Sequence, residues 1–149
     1  MQKITPFLWF DGKALEAAEL YVSLFKNSTI THVTKGPNDL VQWVSFTLDG
    51  NEFMALNGGP QFMFTEAISF FVSCNDQSEV DHFWEKLSAD GGSKGQCGWL
   101  KDKYGVSWQV IPTALSEYLA KDTSGKVMQA MLNMKKIIVE DLKKAYESK

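Results

Sequence analysis

Apolar and polar positions along this chain run through one cycle twice. Over residues 3–57 the pattern reads strand, helix, strand, strand, strand, and over residues 66–112 it reads the same way. In the first cycle Ile4 to Phe10 is short, apolar and β-prone, with Pro6 tolerable near a strand start or at a sheet edge. Asp11-Gly12 is a turn, after which Leu15, Ala18, Val22 and Phe25 recur at helical spacing and predict an amphipathic helix over 13–25. Asn27-Ser28 ends it, and the β-branched run 29–34 predicts a strand. Gly36-Pro37-Asn38-Asp39 is a strong turn signal, and Val41 to Leu48 with Phe53 to Leu56 form a hairpin about Asp49-Gly50.

The second cycle opens with a strand from Ile68 to Cys74. Asp76-Gln77-Ser78-Glu79 reads as a capping box, Val80, Phe83, Trp84 and Leu87 as a buried helical stripe, and Gly91-Gly92 as a helix stop. Short strands follow near 94–102 and from Val106 to Ile111, and Pro112 closes the repeat. The turn and strand from Leu48 to Leu56 are echoed by those from Asp102 to Val110. An internal repeat constrains architecture more than any single residue does. The expected fold is α+β: one domain over 1–149, built of paired βαβββ modules at 3–57 and 66–112 with a cleft between them, and a helical C-terminal tail over 113–149.

Two segments stand outside the repeat. The linker begins at Asn57-Gly58-Gly59-Pro60 and carries Phe62-Met63-Phe64, which read either as a lid packed over the core or as a hydrophobic rim at the cleft mouth. In the tail, Met128, Met131 and Met134 lie near one helical face and Val139, Leu142 and Tyr146 form another. That face must be buried on its own chain or on a second subunit; the pattern leaves both open.

Composition narrows the function classes. At 149 residues, roughly 68–70% of the unfolded surface can be buried, so no disulfide or metal staple is needed. A net charge of −3 leaves no basic footprint for nucleic acid. All 15 cationic side chains are lysines, so the bidentate guanidinium fork favoured for phosphate and carboxylate is missing and a polyanionic ligand is disfavoured. Cys74 and Cys97 lie outside any CxxC spacing and read as small buried apolar residues rather than a redox pair. No apolar run reaches the ~18 residues of a membrane span. The chain opens on a strand rather than a leader, so the cytoplasm is the expected compartment.

Catalytic motifs are scarce. There is no GxSxG elbow, no GxxxxGK[ST] loop and no GxGxxG after the first strand. Gly91-Gly92-Ser93-Lys94-Gly95 sits at a helix C-terminus, the wrong end for an anion. His32 and His82 belong to no HxH or HExxH spacing, and Glu52 and Glu66 lie at strand starts, where carboxylates mostly solvate turns. What remains is the cleft. If Leu8 and Phe10 face the first helix, then Thr5, Phe7 and Trp9 face the cleft, because side chains alternate along a strand. By the same rule Phe70, Val72 and Cys74 face the second helix, and Ser69, Phe71 and Ser73 the cleft. In the closing strands, Phe53, Ala55 and Asn57 pair through the repeat with Ser107, Gln109 and Ile111. Such a face is aromatic with a few polar points, which suits a small, mostly apolar ligand; simple filling of the space between modules is the other reading.

Three segments carry a resemblance: Ile4-Thr5-Pro6-Phe7-Leu8-Trp9-Phe10-Asp11-Gly12, Phe53-Met54-Ala55-Leu56-Asn57-Gly58-Gly59-Pro60, and Gln96-Cys97-Gly98-Trp99-Leu100-Lys101-Asp102 running on through Tyr104-Gly105-Val106-Ser107-Trp108-Gln109. Over nearly its whole length the chain resembles the PhnB-like branch of the vicinal oxygen chelate superfamily, which includes glyoxalase I, bleomycin-resistance proteins and extradiol dioxygenases. The resemblance implies the glyoxalase/bleomycin resistance fold of paired βαβββ modules and a homodimer. It also implies a divalent metal held by four residues, one from the first and last strand of each module. Those positions fall on Thr5, Ala55, Ser69 (Ile68 if the register slips by one) and Gln109. Only Gln109 is of ligand type, so no metal and no cofactor is expected. Proteins of this branch often carry the name demethylubiquinone methyltransferase; methyl transfer from S-adenosylmethionine calls for a glycine-rich loop and a ribose-binding acid that this sequence does not arrange.

Three functions follow as expectations. The first is a small-molecule binding protein without a metal, its ligand contacted by Thr5, Phe7, Trp9, Ala55, Asn57, Ser69, Phe71, Ser107 and Gln109. The second is a metal-dependent lyase, isomerase or dioxygenase with an unusual ligand set drawn from Gln109, Glu52, Glu66 or His32. The third is a dimeric assembly protein that uses its methionine-bearing tail.

Overall fold

Strand β1 (Phe7–Phe10) alternates as its sequence predicts, with Leu8 and Phe10 buried and Phe7 half exposed. It opens a computed structural model that describes residues 2–148 and divides into two compact units between Phe64 and Thr65. In the first unit β1 is followed by α1 (Ala14–Leu24), β2 (Thr29–Lys35), a single 3₁₀ turn (Pro37–Asp39), β3 (Val41–Leu48) and β4 (Asn51–Asn57). The sheet order is β1-β4-β3-β2, with β1 parallel to β4 and the other pairs antiparallel. The strand expected from Ile4 begins only at Phe7, and Ile4 is exposed.

The buried stripe of α1 is Ala14, Ala17, Ala18 and Tyr21 rather than the predicted Leu15, Ala18, Val22 and Phe25. Three alanines let the helix lie close to the sheet. Tyr21 alone then reaches inward, its ring 6.4 Å from that of Phe46, which stacks on Phe53 at 5.5 Å. No side chain of the preceding residue Lys13 caps the helix. Asn57 does so from the end of β4: its Oδ1 accepts the Ala14 N–H at 2.8 Å and its Nδ2 donates to the Val41 carbonyl at 3.1 Å.

The second unit repeats the plan with β5 (Phe70–Cys74), α2 (Gln77–Leu87), β6 (Ser93–Lys94), β7 (Trp99–Lys101) and β8 (Ser107–Pro112), in sheet order β5-β8-β7-β6. Here the predicted stripe is the observed one: Val80, Phe83, Trp84 and Leu87 are buried. The capping box is present in a shifted form, its return bond made to the residue before the N-cap. Asp76 Oδ1 accepts the Glu79 N–H at 2.9 Å, and Glu79 Oε1 reaches back to the Asn75 N–H at 2.7 Å. Asp76→Ala is expected to cost about 1 kcal/mol, read as a lowered urea midpoint with an unchanged slope; an unchanged midpoint would mean that the cap is replaced by water at no cost.

The β7–β8 turn is built around a buried carboxylate. Asp102 is 2% exposed; its Oδ1 accepts the N–H groups of Tyr104 and Val106 at 2.9 and 3.0 Å, and its Oδ2 accepts the Trp108 indole N–H at 2.9 Å. After β8 the chain forms α3 (Thr113–Lys121), α4 (Lys126–Leu132) and α5 (Val139–Glu147), all within the second unit. Their apolar faces close over one cluster of Ile111, Leu115, Val127, Ile137 and Leu142, with Met131 and Met134 packed against it. The second unit thus buries Leu142 and partly buries Met131 and Met134 of the stripes read from the sequence, while Met128 and Tyr146 stay exposed.

Candidate functional site

Each sheet has one face against its helix and one turned away, and strand pairing decides which residues share the outer face. In the first sheet Phe7 pairs with Met54 and Trp9 with Leu56, while Trp43 lies opposite Leu56 on β3. The Trp9 indole N–H donates to the Gly59 carbonyl at 2.9 Å, and the Phe62 ring stands edge-on to Trp9 at 4.9 Å. The apolar residues of the linker differ in burial. Phe64 packs against the buried Phe10 at 5.2 Å, whereas Phe62 and Met63 are 65% and 87% exposed. Thr5, just before β1, is partly buried.

The expected face of β4 is corrected by this register. Ala55 pairs with Leu8 on one side and Val44 on the other and is fully buried on the helix side. Phe53 stacks on Phe46, and Asn57 caps α1, so both share that side. The sequence echo aligns Ala55 with Gln109; the strand pairing aligns Met54 with Gln109, because Met54 pairs with Phe7 as Gln109 pairs with Phe71. A slip of one residue turns every side chain of a strand to the other face. Thus Ala55 and Asn57 leave the proposed face, and Met54 and Leu56 take their places.

In the second sheet the expected faces match the pairing. Phe71 and Trp99 both pair with Gln109, whose Nε2 donates to Ser69 Oγ at 2.9 Å. Phe71 is 59% exposed, and Ser73 is exposed beside Ile111. Ser107 pairs with Lys101 and is 1% exposed, its Oγ without a hydrogen-bond partner among the described residues. The Lys101 ammonium pairs with Glu66, and this hydrogen bond with its charge holds the Glu66 carboxyl below the usual carboxylate range. On the helix side, burial pushes the Cys74 thiol up to about 12, which makes it inert as a nucleophile near neutrality.

A metal of the superfamily type does not fit these residues. The resemblance names Thr5 and Ser69; strand pairing puts Met54 in the place of Ala55 in the first unit and keeps Gln109 in the second, which makes two neutral hydroxyls, a thioether and an amide already engaged with Ser69. Hard or borderline divalent cations bind such donors poorly. Among the described residues, no group of three or more His, Cys, Asp or Glu side chains comes together, and His32 and His82 are both exposed. The first unit also carries an open groove of about 780 Å³ that sequence reasoning missed, lined by Gly12, Leu15, the 36–42 turn, Asn57 and Gly59. Its signal was the Gly36-Pro37-Asn38-Asp39 turn, which read only as a strand connection.

A family profile described as 3-demethylubiquinone-9 3-methyltransferase matches residues 2–111, so α3, α4 and α5 lie beyond the match. A PhnB protein from Bacillus cereus is 38% identical, with a TM-score of 0.70 over 75% of this chain and 100% of that one. A protein from Pseudomonas aeruginosa is 18% identical, with a TM-score of 0.63 over 75% and 98% of the two chains. A glyoxalase/bleomycin resistance protein from Albidiferax ferrireducens is 12% identical, with a TM-score of 0.48 over 72% and 95%. No protein of curated function matches.

Proposed function

Because the chain belongs to the 3-demethylubiquinone-9 3-methyltransferase family, the PhnB-like branch of the vicinal oxygen chelate superfamily, we propose that it binds a small, largely apolar molecule on its outer sheet faces without a metal. The observation that carries this reading is the makeup of those faces. Exposed Phe7 and Phe71 stand where each module would otherwise bury its sheet, and the Gln109–Ser69 pair is a polar point beside Phe71 and Trp99. Ligand sites commonly combine an apolar lining with a few placed hydrogen-bonding groups. The same exposed aromatics support a homodimer; among the described residues no helix is long and apolar enough to cross a membrane.

The family name speaks of methyl transfer. Each sheet here has a single parallel strand pair, and β1 runs into Asp11-Gly12-Lys13 rather than a glycine-rich phosphate loop, so the chain's own residues lend that reaction no support. Assembly through the tail keeps a narrower motive: part of the tail's apolar surface is buried within the second unit, while Met128, Leu132 and Tyr146 stay exposed.

The test is elemental analysis of the purified chain, with a thermal-shift screen of divalent metals and of small aromatic compounds. An aromatic ligand should raise the melting temperature by mass action. Gln109→Ala should weaken that ligand about tenfold, the loss of one well-placed hydrogen bond of roughly 1.4 kcal/mol. One tightly held metal per chain, lost in Gln109→Ala, would overturn the proposal in favour of glyoxalase-type metal chemistry.

A further inference from the structure

The two units share one topology, so any place on one has a counterpart on the other. The open groove of the first unit lies among three such places: the start of α1 (Gly12, Leu15), the β2–β3 connection (36–42) and the end of β4 (Asn57). The counterparts in the second unit are the start of α2, the β6–β7 connection and the end of β8, and all three are occupied by the segment joining α4 to α5. The Met134 carbonyl accepts the Cys97 N–H and the Lys135 carbonyl the Gly98 N–H, both at 2.8 Å, in the β6–β7 connection. At the start of α2, the Gln77 side chain grips the segment twice. Its Nε2 donates to the Ile137 carbonyl at 3.0 Å and its Oε1 accepts the Val139 N–H at 2.7 Å, while Lys136 pairs with Asp81 at 2.9 Å. At the end of β8, Ile137 is fully buried in one cluster with Ile111.

We propose that residues 133–139 are a strap that fills, in cis, the second unit's copy of the groove left open in the first, so that this copy is closed to ligand unless the strap lifts. The repeat also accounts for the choice of unit. The helix start of the first unit offers Lys13 and Ala14 where the second offers Gln77, and the Ala14 N–H is already taken by Asn57. The amide at that place, Asn57, is spent on the first unit's own backbone, the Ala14 N–H and the Val41 carbonyl, and is not turned to a passing segment. The asymmetry is thus written into single residues: the Gln77 amide grips the strap, while the Asn57 amide is held by its own unit.

The two cysteines supply the test, because the backbone N–H of the partly exposed Cys97 is bonded to the strap, whereas Cys74 is buried in the sheet core with a thiol pushed up to about 12. In the full chain carrying Gln77→Ala, with Gln77→Ala/Lys136→Ala as the stronger variant, the labelling rate of Cys97 by a thiol reagent is compared with the unaltered chain by peptide mass spectrometry. A local opening raises the Cys97 rate about tenfold and leaves Cys74 unlabelled. An unchanged Cys97 rate in both variants would overturn the strap. So would labelling of Cys74 and Cys97 that rises in parallel, since the clamp would then be holding the whole unit and not a separable segment.

Discussion

Asp102→Ala is expected to remove about 3–5 kcal/mol of stability, because buried N–H donors that lose their acceptor cost about 1–3 kcal/mol each. Three donors depend on this carboxylate: the backbone N–H groups of Tyr104 and Val106 and the indole of Trp108. Folded domains are stable by only about 5–15 kcal/mol, so a loss of this size takes much of the total. Asp102→Asn keeps the volume but turns an amide N–H₂ toward at least one of the donors, so its cost should fall between alanine and the native residue. Urea unfolding followed by tryptophan fluorescence reads both. An alanine variant within about 0.5 kcal/mol of the native chain, the scatter of ordinary surface changes, would show that water replaces the carboxylate freely.

Gly98→Ala should be nearly as damaging, for a different reason. The residue has φ +83°, and a Cβ there would lie 2.6 Å from Ile111 Cδ1, 2.9 Å from the Val110 carbonyl oxygen and 3.2 Å from Ile137 Cγ1. A left-handed backbone costs an L-residue roughly 1–2 kcal/mol, and overpacking adds about 1–3 kcal/mol. Gly105 is the control: its φ is +89° with nothing within 4 Å of an added Cβ, so Gly105→Ala should show the backbone cost alone. Equal losses at the two positions would mean that the Ile111–Ile137 contact yields without resistance.

Much of this architecture was legible in the chain because its signals are local and redundant. Asp76 three residues before Glu79, the Val80–Leu87 stripe and the Asp49-Gly50 hairpin each point to one structure at short range. The failures came where a choice depends on partners distant in sequence. Whether Ala55 looks toward α1 or away is set by its pairing with Leu8 and Val44, and an echo between two strands cannot supply that phase. The α1 stripe failed differently: alanines carry little hydrophobic signal, yet Ala14 and Ala17 are buried because they are small. The candidate site was half legible for the same cause. Ser69, Phe71 and Gln109 lie on the expected sheet face where the register agrees with the repeat, and Met54 and Leu56 replace Ala55 and Asn57 on that face where it does not. The groove beside the 36–42 turn and the grip of Gln77 are tertiary facts with no periodic trace.

The parallel pairs have a consequence for the order in which this protein comes together. Phe7 must wait for Met54, and Phe70 for Trp108, while a helix and two strands are made in between. Non-local pairings of this kind slow folding, because loop closure precedes any gain from contact. During synthesis the first unit has its closing strand once Asn57 is out, before any of β5 exists. The second then passes through a stage in which Phe70, Phe71 and Val72 are present as an unpaired apolar strand, the form most prone to join another chain. That stage lasts from the emergence of Cys74 until β8 arrives, and the local β7–β8 hairpin closed by Asp102 is the surface on which β5 finally docks.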